Sequence, residues 1–303
     1  MPKKPQPPID RKPGHAAELG GSQEAPAPTG GILACFAHPD DETFGSGGTL
    51  ARCAGEGMRV DLACATRGEV GEISNPALAT KETLAQVREQ ELRCACRELG
   101  VHGLHLLGYR DSGMAGTPEN GHPQALCNAS ASEVVGQLVA LIRTLRPVVV
   151  LTFDPHGGYG HPDHVAIHHF ATEAFRAAAD PNRFPDHAGI HQATRLYYSA
   201  IPRERIRQMM EYAAAAGTPF DLGSIPLEEM GIPEGAITTE VTLSSYAEIK
   251  RRAMQCHRTQ MGPVSPFDSL PPEALQEFLG REFFIRAYPP LEPGPTREEW
   301  LFP

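Results

Sequence analysis

The sequence predicts an α/β fold: a Rossmann-like, mostly parallel sheet with helices on both faces, plus a smaller C-terminal α+β portion. Three observations carry this. Strand-length segments stand at residues 32–37, 59–66 and 148–153, the first and last of them as the short apolar runs that buried parallel strands require. Helix-like segments with caps and stops lie between them, so strand and helix alternate and right-handed crossovers follow. After Pro181 the alternation weakens, which points to a smaller portion packed on the sheet rather than an independent module.

Residues 1–30 contain seven Pro and four Gly and almost no apolar pattern, so they are expected to form a disordered tail outside the fold. From Gly31 the run ILACFA reads as the first buried strand. A helix-like segment at about 47–55 follows, then the second strand and the loop RGEVGE at 67–72. Thr80 offers an N-cap for a long helix with Leu84, Val87, Leu92, Ala95 and Leu99 near one face and Gly100 as its stop. A short strand at 104–107 leads into a polar, Gly- and Pro-rich stretch at 110–130, longer than most connections. Ser132 can cap a helix to about residue 145, and Pro147 precedes the strand VVVLTF. The turn GGYG at 157–160 opens a helix from Pro162 to about 179. Further strands are expected at 195–200 and 237–243 and a helix at 245–258. The expected division is therefore residues 31–180 as the main catalytic domain and 181–303 as the portion completing the pocket.

Composition narrows the function. With 27 Lys plus Arg against 37 Asp plus Glu, the net charge of −10 repels phosphate backbones and anionic lipid, so neither nucleic acid nor membrane is an expected partner. No apolar run approaches the roughly 20 residues of a spanning helix. The early prolines replace the apolar core of a secretory signal. Seven cysteines without a C-x-x-C read as reduced, packed thiols, and with them a cytoplasmic location is expected.

Two clusters carry chemistry. His38-Pro39-Asp40-Asp41-Glu42 follows the first strand, at the sheet edge where α/β sites form. Alone, such a cluster also suits a solvated turn capping a helix. His161-Pro162-Asp163-His164 again follows a strand and opens a helix, with Pro162 suited to the first turn. The spacing of His161 and His164 lets one helical turn aim both rings to one side. One His and one Asp from the first loop, with a His from the second, make a mixed nitrogen and oxygen set that leaves a position open for water, as catalytic zinc requires. His168, one further turn along, is a rival ligand by spacing, although such a residue, like His156 and His169, more often packs against the sheet. A dinucleotide site would use Gly45, Gly47 and Gly48, but their spacing is not G-x-G-x-x-G and the acidic cluster fills the pyrophosphate position.

The motifs AHPDDE (37–42) and GHPDH (160–164), with TRGEVGE (66–72), GYRDSGM (108–114), GGYGHPDH (157–164) and KRRAMQCHRTQ (250–260), resemble the LmbE-like, or PIG-L, family of metal-dependent de-N-acetylases. Within it they are similar to the branch of the mycothiol-biosynthesis deacetylase and the mycothiol conjugate amidase, across about residues 31–260. The resemblance implies His38, Asp41 and His164 as ligands of zinc, with iron(II) as the alternative. It implies Asp40 as the general base, His161 as the group stabilising the tetrahedral oxyanion and Tyr159 as a mobile residue near the carbonyl. Arg67 and Asp111 match positions that hold sugar hydroxyls. The implied reaction is removal of an N-acetyl group from an N-acetylglucosamine-type substrate by a metal-bound water. Either Asp40 or His161 protonates the leaving amine. An amidase acting on thiol–sugar conjugates and a non-catalytic sugar-binding protein are the alternatives, although every matched position is intact. The aglycone and the oligomeric state stay open.

Overall fold

A computed structural model of the chain describes residues 17–18, 30–187, 189–215, 226–261, 267, 270–294 and 296–303. Its strands are β1 (Ala17–Glu18), β2 (Gly31–Phe36), β3 (Arg59–Cys64), β4 (Gly103–Leu106), β5 (Val149–Phe153), β6 (Arg195–Ala200), β7 (Thr239–Thr242) and β8 (Arg281–Tyr288). They form one sheet in the order β1-β4-β3-β2-β5-β6-β8-β7. The five central strands are mutually parallel. Among the described residues the antiparallel pairs are β1–β4, β6–β8 and β7–β8.

The helices are α1 (Asp41–Phe44), α2 (Gly47–Gly55), α3 (Leu84–Leu99), α4 (Ala131–Leu145), α5 (Gly157–Gly160), α6 (Pro162–Ala177), α7 (Arg203–Ala215), α8 (Ala247–Cys256), α9 (Arg258–Met261) and α10 (Pro272–Leu279). The two-residue period of β2 divides the core. Ile32, Ala34 and Phe36 pack with Leu50, Leu92 and Ala253 from α2, α3 and α8 on one face. Leu33 and Cys35 pack with Val139, Ile142 and Phe175 from α4 and α6 on the other. Both faces of the sheet are therefore covered, which is why β2 is buried throughout. No helix among the described residues is long and apolar enough to cross a membrane.

The chain leaves β2 toward β3 and β4 on one side, and β5 and β6 lie on the other. Strands β2 and β5 are thus neighbours at the point where the strand order reverses, the place where sites form in such sheets.

Several expectations need correction. The long helix starts at Leu84 behind Thr83, because residues 80–83 close a turn in which the Thr80 carbonyl accepts from Thr83 N and Leu84 N. Helix α4 is preceded by Ser130, not Ser132. Strand β8 and helices α7 and α10 lie in stretches where no element was expected. Cys94 and Cys256 are not reduced thiols but a disulfide joining α3 to α8. The two sit 162 residues apart in sequence and meet only because those helices pack together, with Cα atoms 5.7 Å apart. The other five cysteines are free. Most of the expected tail lies outside the described residues; within it, Ala17–Glu18 pairs with Leu104 and Gly103 of β4.

Candidate active site

The β2 strand ends into His38, and α1 begins at Asp41, so the first motif is a tight strand-to-helix turn. Asp41 turns back on it: its Oδ2 accepts from the backbone N–H of Ala37 at 3.1 Å and of His38 at 2.7 Å. The second motif caps α6, where His161 Nδ1 accepts from Asp163 N at 3.1 Å. His164 sits in the first turn, its Nδ1 spent on the Gly157 carbonyl at 3.0 Å and its ring stacked on Phe153. Gly157 has φ +68°, and a Cβ there would stand 2.6 Å from His164 Cβ, so only glycine fits.

These constraints leave His38 Nδ1, His164 Nε2 and the Asp41 carboxylate facing one another. The nitrogens are 3.1 Å apart. His38 lies 3.6 Å and His164 3.4 Å from Asp41 oxygens. A tetrahedral site with bonds of about 2.0–2.1 Å has ligand atoms about 3.3 Å apart, so the three donors fit a zinc-sized cation. His161 also reaches this group: His38, His161 and His164 offer ring nitrogens within 4.8 Å of one another. His168 does not. Its Nδ1 pairs with the Phe153 carbonyl at 2.8 Å, and its ring meets Tyr198, as expected of a packing histidine.

Behind the triad, His38 Nε2 donates to Asp163 Oδ2 at 3.1 Å, and Asp111 Oδ1 stands 3.6 Å away. Asp163 is in turn gripped by Ser112, through its N–H at 2.9 Å and its hydroxyl. A carboxylate on the far nitrogen fixes the imidazole tautomer so that Nδ1 carries the lone pair.

Asp40 occupies a backbone conformation with φ 117°. For a non-glycine residue this costs roughly 1–3 kcal/mol, which the surroundings must offset. Arg88 of α3, buried, donates to the carbonyls of Pro39 (2.6 Å) and Gly68 (3.1 Å) and to Asp40 Oδ2 (3.2 Å). Burial pushes the Asp40 carboxyl up to about 6, with Arg88 opposing and Asp41 adding to the rise. Burial, with His38 and His164 nearby, takes His161 down to about 4, so it is neutral at pH 7. Since its Nδ1 is an acceptor, its proton sits on Nε2. Tyr159 packs edge-on to His164, and burial drives its phenol upward, keeping it protonated.

The two expected hydroxyl-binding residues are not brought together. Arg67 pairs with Glu89 at 2.9 Å with about half its side chain exposed (49%). Asp111 is buried, its oxygens accepting from Gly113 N at 2.8 Å and Val70 N at 3.4 Å, and it lies behind His38. Sequence reasoning gave no role to Arg88, Ser112 and His257, and took Glu42 and Asp163 only as members of the two clusters. For Arg88 a signal existed: it falls on the apolar stripe Leu84, Leu92, Ala95, Leu99 of a helix, where a charge needs buried partners.

A family model described as GlcNAc-PI de-N-acetylase (PIG-L) matches residues 33–175. A 1D-myo-inositol 2-acetamido-2-deoxy-alpha-D-glucopyranoside deacetylase of Geodermatophilus obscurus is 40% identical over 272 residues, covering 85% of this chain and 92% of its own. The deacetylase of the same name from Thermobifida fusca is 38% identical over 86% of this chain and 93% of its own. Among solved structures, an N,N'-diacetylchitobiose deacetylase from Pyrococcus horikoshii superposes with TM-score 0.57 at 21% identity, covering 84% of this chain and 82% of that one. A 4-carboxy-2-hydroxymuconate hydratase from Pseudomonas putida shares the fold at TM-score 0.53 and 20% identity, over 83% of each chain. The fold alone therefore does not determine the reaction.

Proposed function

The chain belongs to the PIG-L family of GlcNAc-PI de-N-acetylases, and from that premise we propose that it hydrolyses the acetamide of an N-acetylglucosaminyl inositol through a metal centre at His38, Asp41 and His164. It is a deacetylase, a hydrolase of amide C–N bonds, acting on a GlcNAc-type small molecule. The inositol aglycone is the finer reading, supported by the names of relatives that align over most of their length.

The observation that carries the metal reading is the triad of donor atoms 3.1–3.6 Å apart, each held by a second bond. A zinc or iron(II) ion bound there supplies Lewis acidity, making water more acidic and the acetamide carbonyl more electrophilic. Asp40, ionised at pH 7 and anchored by Arg88, accepts the proton of the attacking water. His161 donates from Nε2 to the carbonyl oxygen as negative charge collects on it. Asp40 returns the proton it accepted to the departing amine, so one carboxyl carries the proton through both halves of the reaction. Tyr159 closes the carbonyl side of the pocket. Arg67, with its exposed guanidinium, remains the candidate for a sugar hydroxyl, whereas Asp111 serves behind His38. A cytoplasmic location is part of the same proposal, resting on the small-molecule substrate; the disulfide removes the cysteine argument for it.

The test pairs metal analysis with turnover of N-acetylglucosaminyl inositol. The wild-type chain should carry about one metal ion and release acetate. His164→Ala should lose the metal, and Asp40→Ala should keep it while losing about 100-fold or more in kcat. Stoichiometric metal in His164→Ala, or near-normal turnover in Asp40→Ala, would overturn the assignments.

A further inference from the structure

The strained Asp40 turn is held by groups that come from far along the sequence. The Asp40 N–H donates to Glu42 Oε2 at 3.0 Å. The other oxygen of that carboxylate, Oε1, accepts from His257 Nε2 at 2.6 Å. Glu42 is 1% and His257 0% exposed, so water does not compete for either bond. His257 Nδ1 has no hydrogen-bond partner among the described residues. A buried ring nitrogen left unpaired is uncommon, and among the described residues the imidazole makes a single hydrogen bond, the one with Glu42.

His257 is itself fixed. It follows the last residue of α8, Cys256, which is bonded to Cys94 of α3. Two residues on, Thr259 donates through N and Oγ1 to the two oxygens of Glu91, also on α3, at 2.9 and 2.6 Å. Helix α3 carries Arg88 as well, which holds the Pro39 carbonyl. One clamped helix junction thus sends two arms to the same turn: Arg88 to the carbonyl before Asp40, and His257 through Glu42 to the N–H of Asp40.

We infer that His257 is a positioning residue for the reaction: through Glu42 it fixes the Asp40 peptide at positive φ and so sets the direction of the Asp40 carboxylate. The inference rests on Asp40 being the base. A pair that only stabilised the core would leave the direction of Asp40 unchanged when broken.

The experiment compares the full-length zinc-loaded enzyme with Asp40→Ala, His257→Ala and His257→Gln, the last offering an amide N–H at about the reach of Nε2. His257→Ala should keep its zinc and its cooperative melt and lose about 100-fold in kcat, with KM within about twofold of wild type. His257→Gln should recover most of the loss, and a crystal structure of His257→Ala should show Asp40 relaxed to negative φ. Wild-type kcat in His257→Ala overturns the inference. So does a joint fall of kcat, KM, zinc and melting temperature with no rescue by Gln, or an Asp40 φ that stays positive without the imidazole. If His257→Ala does not fold, Glu42→Gln replaces it, and an unchanged kcat there has the same force. Full activity in Asp40→Ala would instead overturn the base assignment, and the Asp40 φ in His257→Ala then decides separately whether His257 sets the turn.

Discussion

Each imidazole in the site has one nitrogen spent on the protein, and which nitrogen is spent decides its role. His164 gives Nδ1 to the Gly157 carbonyl and His38 gives Nε2 to Asp163, so each turns a lone pair toward Asp41. His161 accepts with Nδ1 from Asp163 N and so presents a donor instead. The histidines and carboxylates of the two motifs were legible in the sequence, because a dense polar cluster directly after an apolar strand stands out from the pattern around it. Their allocation to roles came from a family resemblance, since spacing alone left His168 in contention. Asp163 was read as part of its cluster but given no role, because an acidic residue in the first turn of a helix is ordinary. Its partners show its use. In Asp163→Ala, His38 Nε2 and the Ser112 hydroxyl lose their acceptor. Zinc affinity should fall about 10–100-fold, as for other carboxylates behind a ligating histidine, read by chelator competition on folded protein. Unchanged affinity would show that the backbone alone orients His38.

Among the elements, strands β2 and β5 were legible because their apolar runs are continuous, and β3 because Leu62, Ala63 and Cys64 follow its one buried charge, Asp61, while β8 was not. Its buried Glu282 breaks the pattern, yet that carboxylate accepts from Gly48 N and Thr49 N, each at 2.8 Å, at the start of α2 and pairs with Lys250 of α8. A pattern rule that expects charges outside cannot see a charge employed as a helix cap. The Cys94–Cys256 bond was equally hidden, because pairing across 162 residues depends on tertiary packing. Closing so long a loop restricts the unfolded chain, so Cys94→Ser should lower stability by about 2–4 kcal/mol, measured by denaturant titration with and without reductant. Wild-type protein in reductant should match the variant; no difference between oxidised and reduced forms would mean the bond contributes nothing. Asp61 of β3 makes the sheet sensitive to acid. Burial opposes its ionisation, but His105 and Arg59 outweigh this and hold the carboxyl below its ordinary 3.8. A folded value below the unfolded one contributes stability that is complete above the ordinary carboxylate range and is lost as pH falls through the folded value. Asp61→Asn should therefore flatten the acid side of the stability profile, and an identical profile would count against the pair.

At the scale of the whole molecule, the reversal of strand order between β2 and β5 brings two motifs more than a hundred residues apart to one sheet edge, which is why the site could be anticipated from alternating strands. What the alternation did not show is how far the C-terminal portion belongs to the same body. Strand β6 continues the parallel sheet directly beside β5, and β8 inserts between β6 and β7. Tyr197, Val241, Leu243, Ala253, Phe284 and Leu301 lie in the same apolar cluster as Phe36 and Leu62. The 227–232 segment also holds the turn that carries Tyr159, through Gly231 N to the Gly158 carbonyl at 3.0 Å and His156 Nε2 to the Glu229 carbonyl at 3.0 Å. A fragment of residues 31–180 would contain both metal-binding motifs and every residue assigned a direct chemical role. It would nevertheless expose the full edge of β5 and strip one face of the sheet of helix α8, leaving unpaired backbone groups and a large apolar surface. Such a fragment should therefore aggregate or melt without cooperativity, and should bind zinc weakly despite keeping His38, Asp41 and His164. Calorimetry and metal titration of the purified fragment would test this, and a sharp transition with stoichiometric zinc would show instead that the first 150 residues of the fold stand as a domain of their own.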